Sequence, residues 1–516
     1  MQQNLLNNTN QNTKSNKKYI KSFSSDKISF VIICFGILLR LIQYLYNRSL
    51  WADEAVLALN IVNRSYLELL QPLDYDQGAP IGFLWIEKLA IQLFGNNEYA
   101  FRLFPLLSSI IAIFIFYKLA KIFLRLEAVP IALAFFVSLN YLLYFATELK
   151  QYSSDVFIAL LSCLIVIQVV TQKLNKIKIS IYSFLGALTI WFSHPAIFTL
   201  AGVGSSFLVI DTLKRKRKSK IFQRLFIYLT WLISFAIFYF VSVQSLNNNT
   251  DLMTSWKNGF PSSFYDINWV VNALGKFFYR PLGFVGITDG LAIFAFIIGC
   301  IALFQRQKDK LFIILSPIIA TFFASFLHKF PFRNRLVLFL TPFFILLIAE
   351  GIDYLIQRRG FKKTFIPGII LLTVLLFYPV TTASNLLIQP YQREEIKQVL
   401  SYVKSNQQPE DIIYIFQRGH YQFLYYAEKY GYKPDDYIIG VDDLDKYDGR
   451  KLSTAEKERY KQDLDKLRGN KRVWLIFSHA HVKSENKMMK SYLDKIGKKM
   501  DLFKAEGAFV YLYDLS

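Results

Sequence analysis

Long apolar segments recur along the chain from Ile28 to Ala383 and constrain its fold more than any other feature. An α-helix rises about 1.5 Å per residue, so about 20 apolar residues cross the roughly 30 Å hydrocarbon core of a bilayer. With 516 residues, of which 53% are hydrophobic, the chain is too apolar for a series of soluble domains. The sequence therefore predicts a polytopic α-helical membrane protein.

These segments predict about eleven transmembrane helices. The two short segments on either side of His194 are either one broken element or two spans joined by a turn at Ser193-His194-Pro195. The predicted spans are residues 28–46, 99–117, 128–146, 156–170, 181–192, 195–210, 225–243, 291–304, 311–327, 336–356 and 365–383.

The basic residues, which give the chain a formal charge of +22, lie in short clusters between the apolar segments. Lys and Arg concentrate in the cytoplasmic connections of membrane proteins. If Lys17-Lys18 is cytoplasmic, every second connection should be basic, and this alternation holds when the segments around His194 count as two spans. A nucleic-acid surface would need these clusters on one face of a folded domain, so we predict no nucleic-acid partner. The basic connections are residues 118–125, 173–178, 214–218, 305–310 and 357–363.

Both ends of the chain are polar. Residues 1–27 are rich in Asn, Gln, Ser and Lys and predict a disordered cytoplasmic tail, followed by an uncleaved first span. From residue 390 to residue 516, strands alternate with helices, which predicts a small soluble α/β domain outside the cytoplasm. Its predicted strands are residues 411–416, 437–440, 472–477 and 508–513, and its predicted helices are residues 391–400, 420–430 and 457–467.

The first outer loop, residues 47–98, contains two apolar stretches that are too short or too charged to span. Residues 55–70 and 80–94 suit amphipathic helices in the outer membrane interface, and a disordered loop is the alternative. The three cysteines all lie inside apolar segments and show neither a disulfide framework nor a metal-binding spacing.

Ionisable residues gather on the predicted outer face, where charges beside lipid are costly unless they serve a function. Each also has an ordinary structural interpretation, such as a helix cap, a loop ion pair, a headgroup anchor or a buried hydrogen-bonding residue. These residues are Asp53, Glu54, Asp76, Glu148, Lys150, Asp155, His194, His328, Arg333 and Arg335.

Several motifs together favour a functional interpretation. The sequence resembles the protein O-mannosyltransferase and aminoarabinose transferase superfamily over about residues 28–385. The resemblance rests on Trp51-Ala-Asp-Glu-Ala55, Gly78-Ala-Pro-Ile-Gly-Phe-Leu-Trp85, Leu93-Phe-Gly95, Ala100-Phe-Arg-Leu-Phe-Pro105, Glu148-Leu-Lys-Gln-Tyr152, Phe332-Arg-Asn-Arg-Leu336 and Pro342.

This resemblance implies the C-type glycosyltransferase membrane fold and an inverting transfer of sugar from a polyprenyl-phosphate donor to an acceptor hydroxyl on the extracytoplasmic face. Asp53 would be the catalytic base and Glu54 its support. The departing lipid phosphate needs cationic neighbours or a divalent metal ion. The residues expected at the donor phosphate are Lys150, Tyr152, Arg280, Arg333 and Arg335, and those expected at the acceptor or a metal are Asp76, Glu148, Asp155, His194 and His328.

One position departs from the family pattern. Many relatives carry a basic residue just before the small or proline pair of the first loop, where this chain has Gln77-Gly78 ahead of Ala79-Pro80. We therefore expect Lys150, Arg280 or the two later arginines, or a divalent cation, to neutralise the donor phosphate. The acceptor is a lipid, a glycan or a protein. We expect the protein in the plasma or inner membrane. The alternative functions are a cell-surface glycan polymerase or ligase, and a flippase or transporter of lipid-linked sugars.

Overall fold

The computed structural model describes residues 25–214, 218–357, 365–441, 452–480 and 482–516. The tail predicted at residues 1–27 falls almost wholly outside these ranges. The helices are α1 (Ser25–Tyr46), α2 (Ala52–Asn63), α3 (Ile81–Phe94), α4 (Glu98–Phe123), α5 (Ala128–Ser138), α6 (Asn140–Tyr144), α7 (Tyr152–Thr171), α8 (Lys176–Phe192), α9 (Ala196–Leu213), α10 (Lys218–Phe238), α11 (Gln244–Asn248), α12 (Thr250–Ser255), α13 (Ile267–Tyr279), α14 (Ile287–Phe326), α15 (Thr341–Gln357), α16 (Phe365–Asn385), α17 (Ile396–Asn406), α18 (His420–Ala427), α19 (Thr454–Asp465) and α20 (Lys483–Ile496).

The chain divides into two units that do not follow the sequence order. The membrane unit contains residues 1–45, 66–95 and 102–390. The second unit contains residues 46–65, 96–101 and 391–516. The segment that carries Asp53 and Glu54 therefore belongs to the same unit as the C-terminal region, although more than 300 residues separate them in sequence.

The membrane unit is built from apolar helices that pack closely where glycine replaces larger residues. A Cβ atom placed on Gly299 of α14 would lie 1.8 Å from the carbonyl oxygen of Leu347 in α15. A Cβ on Gly351 of α15 would lie 1.9 Å from the carbonyl oxygen of Ala295. Small residues allow two helix backbones to approach in this way, and inside a membrane such packing is a main source of helix association.

Among the described residues, eight helices are long and apolar enough to cross a membrane, and a ninth appears if the bent pair α5 and α6 forms one span. The pair bends by 57° next to Leu139. Two of the predicted spans, residues 291–304 and 311–327, lie on either side of Gln307 in α14, where a non-helical backbone (φ −155°, ψ 76°) marks a kink between two helical parts. The predicted span 181–192 lies in α8, which has 17 residues. The count of eleven spans remains a prediction.

The second unit contains a five-stranded sheet of β1 (Ile412–Ile415), β2 (Ile438–Ile439), β3 (Val473–Ser478), β4 (Lys498–Ala505) and β5 (Ala508–Asp514), in the order β2-β1-β3-β5-β4. Strand β1 pairs in parallel with β2 and β3, and β5 pairs antiparallel with β3 and β4. Buried side chains from several strands, including Tyr414, Leu475 and Tyr513, form its core. The mixture of strands and helices confirms the predicted α/β class.

Three features of this unit differ from the sequence-based expectations. Strand β4 and helix α20 were not predicted, and the helix expected from residue 391 begins at Ile396. Strand β4 starts with two lysines and stays largely exposed, so it lacks the apolar alternation of a half-buried strand. Lysine on an exposed edge strand discourages pairing with other chains, which accounts for the polar sequence.

Candidate functional site

The acidic pair lies in the first turn of α2. Trp51 occupies the N-cap position, Asp53 is half-buried, and Glu54 is fully buried. An Oε2 atom of Glu54 accepts a hydrogen bond of 3.3 Å from the backbone N–H of Trp51. This bond closes the end of the helix, so Glu54 has the capping role that acids commonly take there.

Lys150 lies beside the position where the sequence departs from the family pattern. Its Nζ donates a 2.7 Å hydrogen bond to the side-chain oxygen of Gln77. The neighbouring Gln151 donates to the carbonyl of Gly78 at 3.1 Å, and only 5% of Lys150 is exposed. A cation therefore does stand at Gln77-Gly78, and it comes from a later part of the chain.

Tyr152 and Arg335 are in contact. The guanidinium of Arg335 lies 5.3 Å from the centre of the Tyr152 ring, within the range of a cation–π interaction. Tyr152 itself is buried at the start of α7. The structure thus brings together two residues that are far apart in sequence and that the resemblance assigns to the same phosphate.

A cavity of about 230 Å³ lies beside α13 and is lined by cationic side chains. Arg280 and Arg333 both line it, and Lys276 adds a third cationic side chain. Arg333 also donates a hydrogen bond to the carbonyl of Ser255, which fixes its direction. The remaining lining residues are Asn258, Trp269, Asn272, Ala273, Phe277, Phe332, Asn334 and Val337.

Two of the predicted acceptor or metal contacts lie in exposed turns. Asp76 accepts a 3.0 Å hydrogen bond from the side-chain amide of Asn249. His328 stacks on Phe260 with ring centres 5.2 Å apart, and its Nδ1 lies 3.3 Å from the carbonyl of Phe326. Both Asp76 and His328 have a positive φ, a conformation that residues other than glycine adopt rarely.

The other three predicted acceptor or metal contacts lie at less exposed positions. Glu148 and Asp155 are buried on either side of the start of α7. His194 lies in the turn between α8 and α9, with its ring 5.5 Å from that of Phe238. Burial lowers the pKa of His194 to about 4, so this imidazole is neutral at physiological pH.

A divalent metal ion was the alternative to basic side chains at the donor phosphate. In the part of the chain that the structure describes, no group of three or more His, Cys, Asp or Glu side chains is arranged to hold a metal ion. The chemistry considered below uses the side chains themselves.

Sequence reasoning missed two residues. Lys276 lies in the last turn of α13 and Arg280 directly follows the helix, and this closeness in sequence was the signal available. Glu87 of α3 is fully buried, and neither carboxylate oxygen has a hydrogen-bond partner among the described residues. Burial raises the pKa of Glu87 well above its ordinary value. The sequence gives no sign of this, because Glu87 sits beside Lys88 like any surface pair.

Comparisons with known proteins agree with the motif resemblance. Residues 78–243 match the family described as dolichyl-phosphate-mannose-protein mannosyltransferase. No curated protein is significantly similar in sequence.

Two solved structures share the fold. ArnT from Cupriavidus metallidurans bound to undecaprenyl phosphate is 11% identical with a TM-score of 0.52, and the match covers 94% of this chain and 98% of ArnT. The archaeal oligosaccharyltransferase AglB from Archaeoglobus fulgidus, in complex with an inhibitory peptide and a dolichol-phosphate, is also 11% identical with a TM-score of 0.52. That match covers 96% of this chain and 74% of AglB.

The predicted resemblance and fold class are thereby confirmed. The chain is a polytopic membrane protein with the C-type glycosyltransferase fold, and its residues 78–243 carry the sequence pattern of the dolichyl-phosphate-mannose-protein mannosyltransferase family.

Proposed function

We propose that this chain is an integral membrane glycosyltransferase that moves a sugar from a polyprenyl-phosphate donor to an acceptor hydroxyl on the extracytoplasmic face, with inversion at the anomeric carbon. The observation that carries the proposal is the cavity lined by Lys276, Arg280 and Arg333. A phosphate that leaves with a lipid gathers negative charge, and preorganised cations stabilise that charge as it develops.

The polar and aromatic side chains of the cavity also suit a sugar phosphate. Its asparagine side chains can donate and accept hydrogen bonds, as sugar hydroxyl groups require. Its aromatic side chains, Trp269, Phe277 and Phe332, provide apolar faces for a sugar ring or the first part of a lipid chain. Polar or charged side chains and apolar side chains thus share the wall of the cavity.

Lys150 supports the donor role from a second position. Many relatives supply a basic residue just before the pair that corresponds to Ala79-Pro80, and here the Lys150 ammonium contacts Gln77 in that stretch. Tyr152 lies in the same motif as Lys150, and it contacts Arg335, which lies in the same motif as Arg333. We infer that Lys150 replaces the missing cation, so that the donor phosphate is neutralised without a basic residue just before Ala79-Pro80.

On the acceptor side, Asp53 would act as general base. Its carboxylate takes the proton from the acceptor hydroxyl while that oxygen forms a bond to the anomeric carbon. The bond between the anomeric carbon and the phosphate oxygen breaks, and the electron pair leaves with the polyprenyl phosphate. Attack opposite the leaving group inverts the anomeric configuration. Glu54 holds the first turn of α2 through its bond to Trp51, which gives Asp53 a fixed backbone.

The membrane side follows from the basic connections. If the basic clusters are cytoplasmic, the loops that carry Asp53, Lys150 and Arg333 are extracytoplasmic. ArnT bound to undecaprenyl phosphate and AglB bound to dolichol-phosphate and a peptide support a lipid-phosphate donor. The inhibitory peptide bound to AglB is compatible with a protein acceptor for this chain, and a lipid or a glycan remains an alternative acceptor.

Transfer in a reconstituted membrane tests the proposal. The full-length protein in nanodiscs would receive a set of polyprenyl phosphates carrying tritiated hexoses, pentoses or amino sugars, together with extracted envelope lipids, glycans and proteins. We expect labelled glycoside and free polyprenyl phosphate in equal amounts. Movement of the labelled donor across a vesicle bilayer without glycoside would favour a flippase. Repeated addition to one glycan would favour a polymerase, and no reaction with any donor would contradict the proposal.

Charge removal in the cavity tests its donor role. A hydrogen bond to a charged group contributes about 1.5–3 kcal/mol, so Arg333→Ala should weaken undecaprenyl phosphate binding by about 10- to 100-fold. The matched control is Lys308→Ala, because Lys308 lies near the Phe304 ring and does not line the cavity. Equal affinity of both variants for undecaprenyl phosphate would show that the cavity is not part of the donor site.

A further inference from the structure

Residues 49–52, which immediately precede Asp53, are held mainly by side chains from the C-terminal part of the chain. The backbone N–H of Ser49 donates to Glu395 at 3.1 Å, and that of Leu50 donates to the Tyr426 hydroxyl at 2.8 Å. The backbone N–H of Ala52 donates to Glu394 at 2.9 Å. With the bond from Trp51 to Glu54, four consecutive backbone donors have side-chain acceptors.

Glu394 is central to this arrangement. One of its oxygens accepts from Ala52, and the other lies 2.9 Å from Nδ1 of His479. The Glu394 side chain is fully buried, while 30% of the His479 side chain is exposed. Gln422 bridges the two segments, because its side-chain amide donates both to the carbonyl of Leu50 at 2.7 Å and to the carbonyl of Glu394 at 2.9 Å.

Trp51 receives contacts from the same residues. The His479 ring stacks on it at a centroid distance of 6.4 Å, and the guanidinium of Arg393 lies 3.3 Å from the centre of its ring. His479 has a φ of 53°, in the left-handed region that costs free energy for a residue with a Cβ. Such strain persists only where the surroundings over-determine the conformation, and it concentrates at functional positions.

We propose that Glu394 and His479 are positioning residues for Asp53. They fix the start of α2, and therefore the direction of the Asp53 carboxylate, through the N–H of Ala52 and the ring of Trp51. The C-terminal domain thereby completes the catalytic turn in addition to any contact with acceptor. This inference rests on the proposed function, because it assigns the fixed carboxylate to proton removal.

The proposal predicts a loss in turnover and not in donor binding. A misplacement of about 1 Å in a catalytic group can cost about 100-fold in rate. Glu394→Ala should therefore lower kcat by 10- to 100-fold while the affinity for polyprenyl phosphate stays within twofold. Glu394→Gln retains an acceptor oxygen for Ala52 but loses the acceptor for His479, so its kcat should lie between those of Glu394→Ala and wild type.

His479 offers a rescue pair. His479→Ala removes both the ring and the donor and should lower kcat about 10-fold. His479→Asn places an amide donor near the position of Nδ1 and accepts a positive φ readily, so it should recover part of the loss. Equal activity of His479→Ala and His479→Asn would contradict a positioning role for this hydrogen bond.

The matched control is Asp411→Ala. Asp411 is also almost fully buried, and it accepts hydrogen bonds from Arg472 and Trp474 just before β1. His479 follows the carboxyl end of the parallel strand β3, so Asp411 lies at the opposite end of the two strands. Asp411→Ala should lower thermal stability but leave kcat within twofold of wild type at a temperature where the protein stays folded. A loss of kcat as large as that of Glu394→Ala would overturn the proposal.

Hydrogen exchange separates this proposal from the proposed function. In the full-length protein, residues 49–57 should exchange at least 10-fold faster in Glu394→Ala than in wild type, whereas Asp411→Ala should leave them unchanged. Unchanged exchange in Glu394→Ala would refute the positioning role whatever the activity. Faster exchange with a wild-type kcat would also refute it. A wild-type protein that transfers no sugar from any donor would count against the proposed function, and the exchange measurement would still decide whether Glu394 holds the turn.

Discussion

Replacing Tyr426 by phenylalanine removes one oxygen atom from the contacts that hold residues 49–52. The hydroxyl of Tyr426 donates to Glu98 at 2.7 Å and accepts from the Leu50 N–H at 2.8 Å. All three residues are buried, with 1%, 6% and 0% of Tyr426, Glu98 and Leu50 exposed. The substitution therefore leaves a buried donor and a buried carboxylate oxygen without their partner, and water has little access to either.

The size of the effect follows from these two groups. A buried polar group that loses its partner costs about 1–3 kcal/mol, so two such groups cost about 2–6 kcal/mol at most. Lys397, whose Nζ lies 3.3 Å from the same Glu98 oxygen, keeps part of the carboxylate satisfied. We therefore expect about 3 kcal/mol, which corresponds to roughly a 100-fold rise in the equilibrium constant for local opening.

Hydrogen exchange of the full-length protein in nanodiscs, read by mass spectrometry on a peptide that covers residues 49–57, measures this opening. The control is Tyr513→Phe, since the Tyr513 hydroxyl donates to Asp494, whose side chain is 42% exposed and can rehydrate. Tyr426→Phe should speed exchange of the peptide about 100-fold and Tyr513→Phe should not change it. A change below threefold in Tyr426→Phe would refute the idea that this hydroxyl holds the segment ahead of Asp53.

Three further predictions concern packing and ionisation. Gly299→Ala should lower the thermal midpoint of the membrane unit by several degrees or prevent folding, because its Cβ would overlap the Leu347 carbonyl, whereas Gly290→Ala in the same helix meets open space and should be neutral. For Asp411, burial raises the pKa but hydrogen bonds from Arg472 and neighbouring groups outweigh it, so the folded pKa lies below the ordinary 3.8. Its contribution to stability is present above about pH 4 and is lost as pH falls below that value, and Asp411→Asn should flatten the acid limb of a thermal-stability profile. Burial raises the folded pKa of Glu87 above its ordinary 4.5, so the folded protein should lose stability as pH rises past 4.5 and unfolding would release the Glu87 proton. Glu87→Gln should make the thermal midpoint fall less steeply with pH in this range. An unchanged dependence of the thermal midpoint on pH would contradict the raised pKa of Glu87.

The sequence predicted most of the membrane fold because apolar length and basic loops report directly on the bilayer. In α14, the kink at Gln307 lies within the predicted basic connection of residues 305–310 and separates the two predicted spans. Apolar patterning marks where a chain enters lipid, but it does not tell whether a short connection bends. Strand β4 escaped prediction for a related reason, since an exposed edge strand has no apolar face to reveal it.

The candidate site was predictable only in part. Motifs indicate Asp53 as a candidate base and Lys150 and Arg333 as candidate contacts of the donor phosphate, and these roles stay predictions. The contact of Lys150 with Gln77 and the frame of Glu394 and His479 around the start of α2 join residues far apart in sequence. A single sequence carries no signal for such pairs, and His479 in particular reads as an ordinary surface histidine.

Transfer by Asp53→Asn tests the central claim most directly. Asparagine keeps the size of the side chain but cannot take a proton, and general bases contribute about 10²- to 10⁴-fold to rate. The control is Asp289→Asn, since Asp289 also lies in the first turn of a helix but is not a candidate base. A loss of activity caused by weaker helix capping alone would appear in both variants. The account predicts that Asp53→Asn binds undecaprenyl phosphate within twofold of wild type and transfers labelled sugar at least 100-fold more slowly, while Asp289→Asn remains active. Near-normal transfer by correctly inserted Asp53→Asn protein, or an equal loss in both variants, would contradict it.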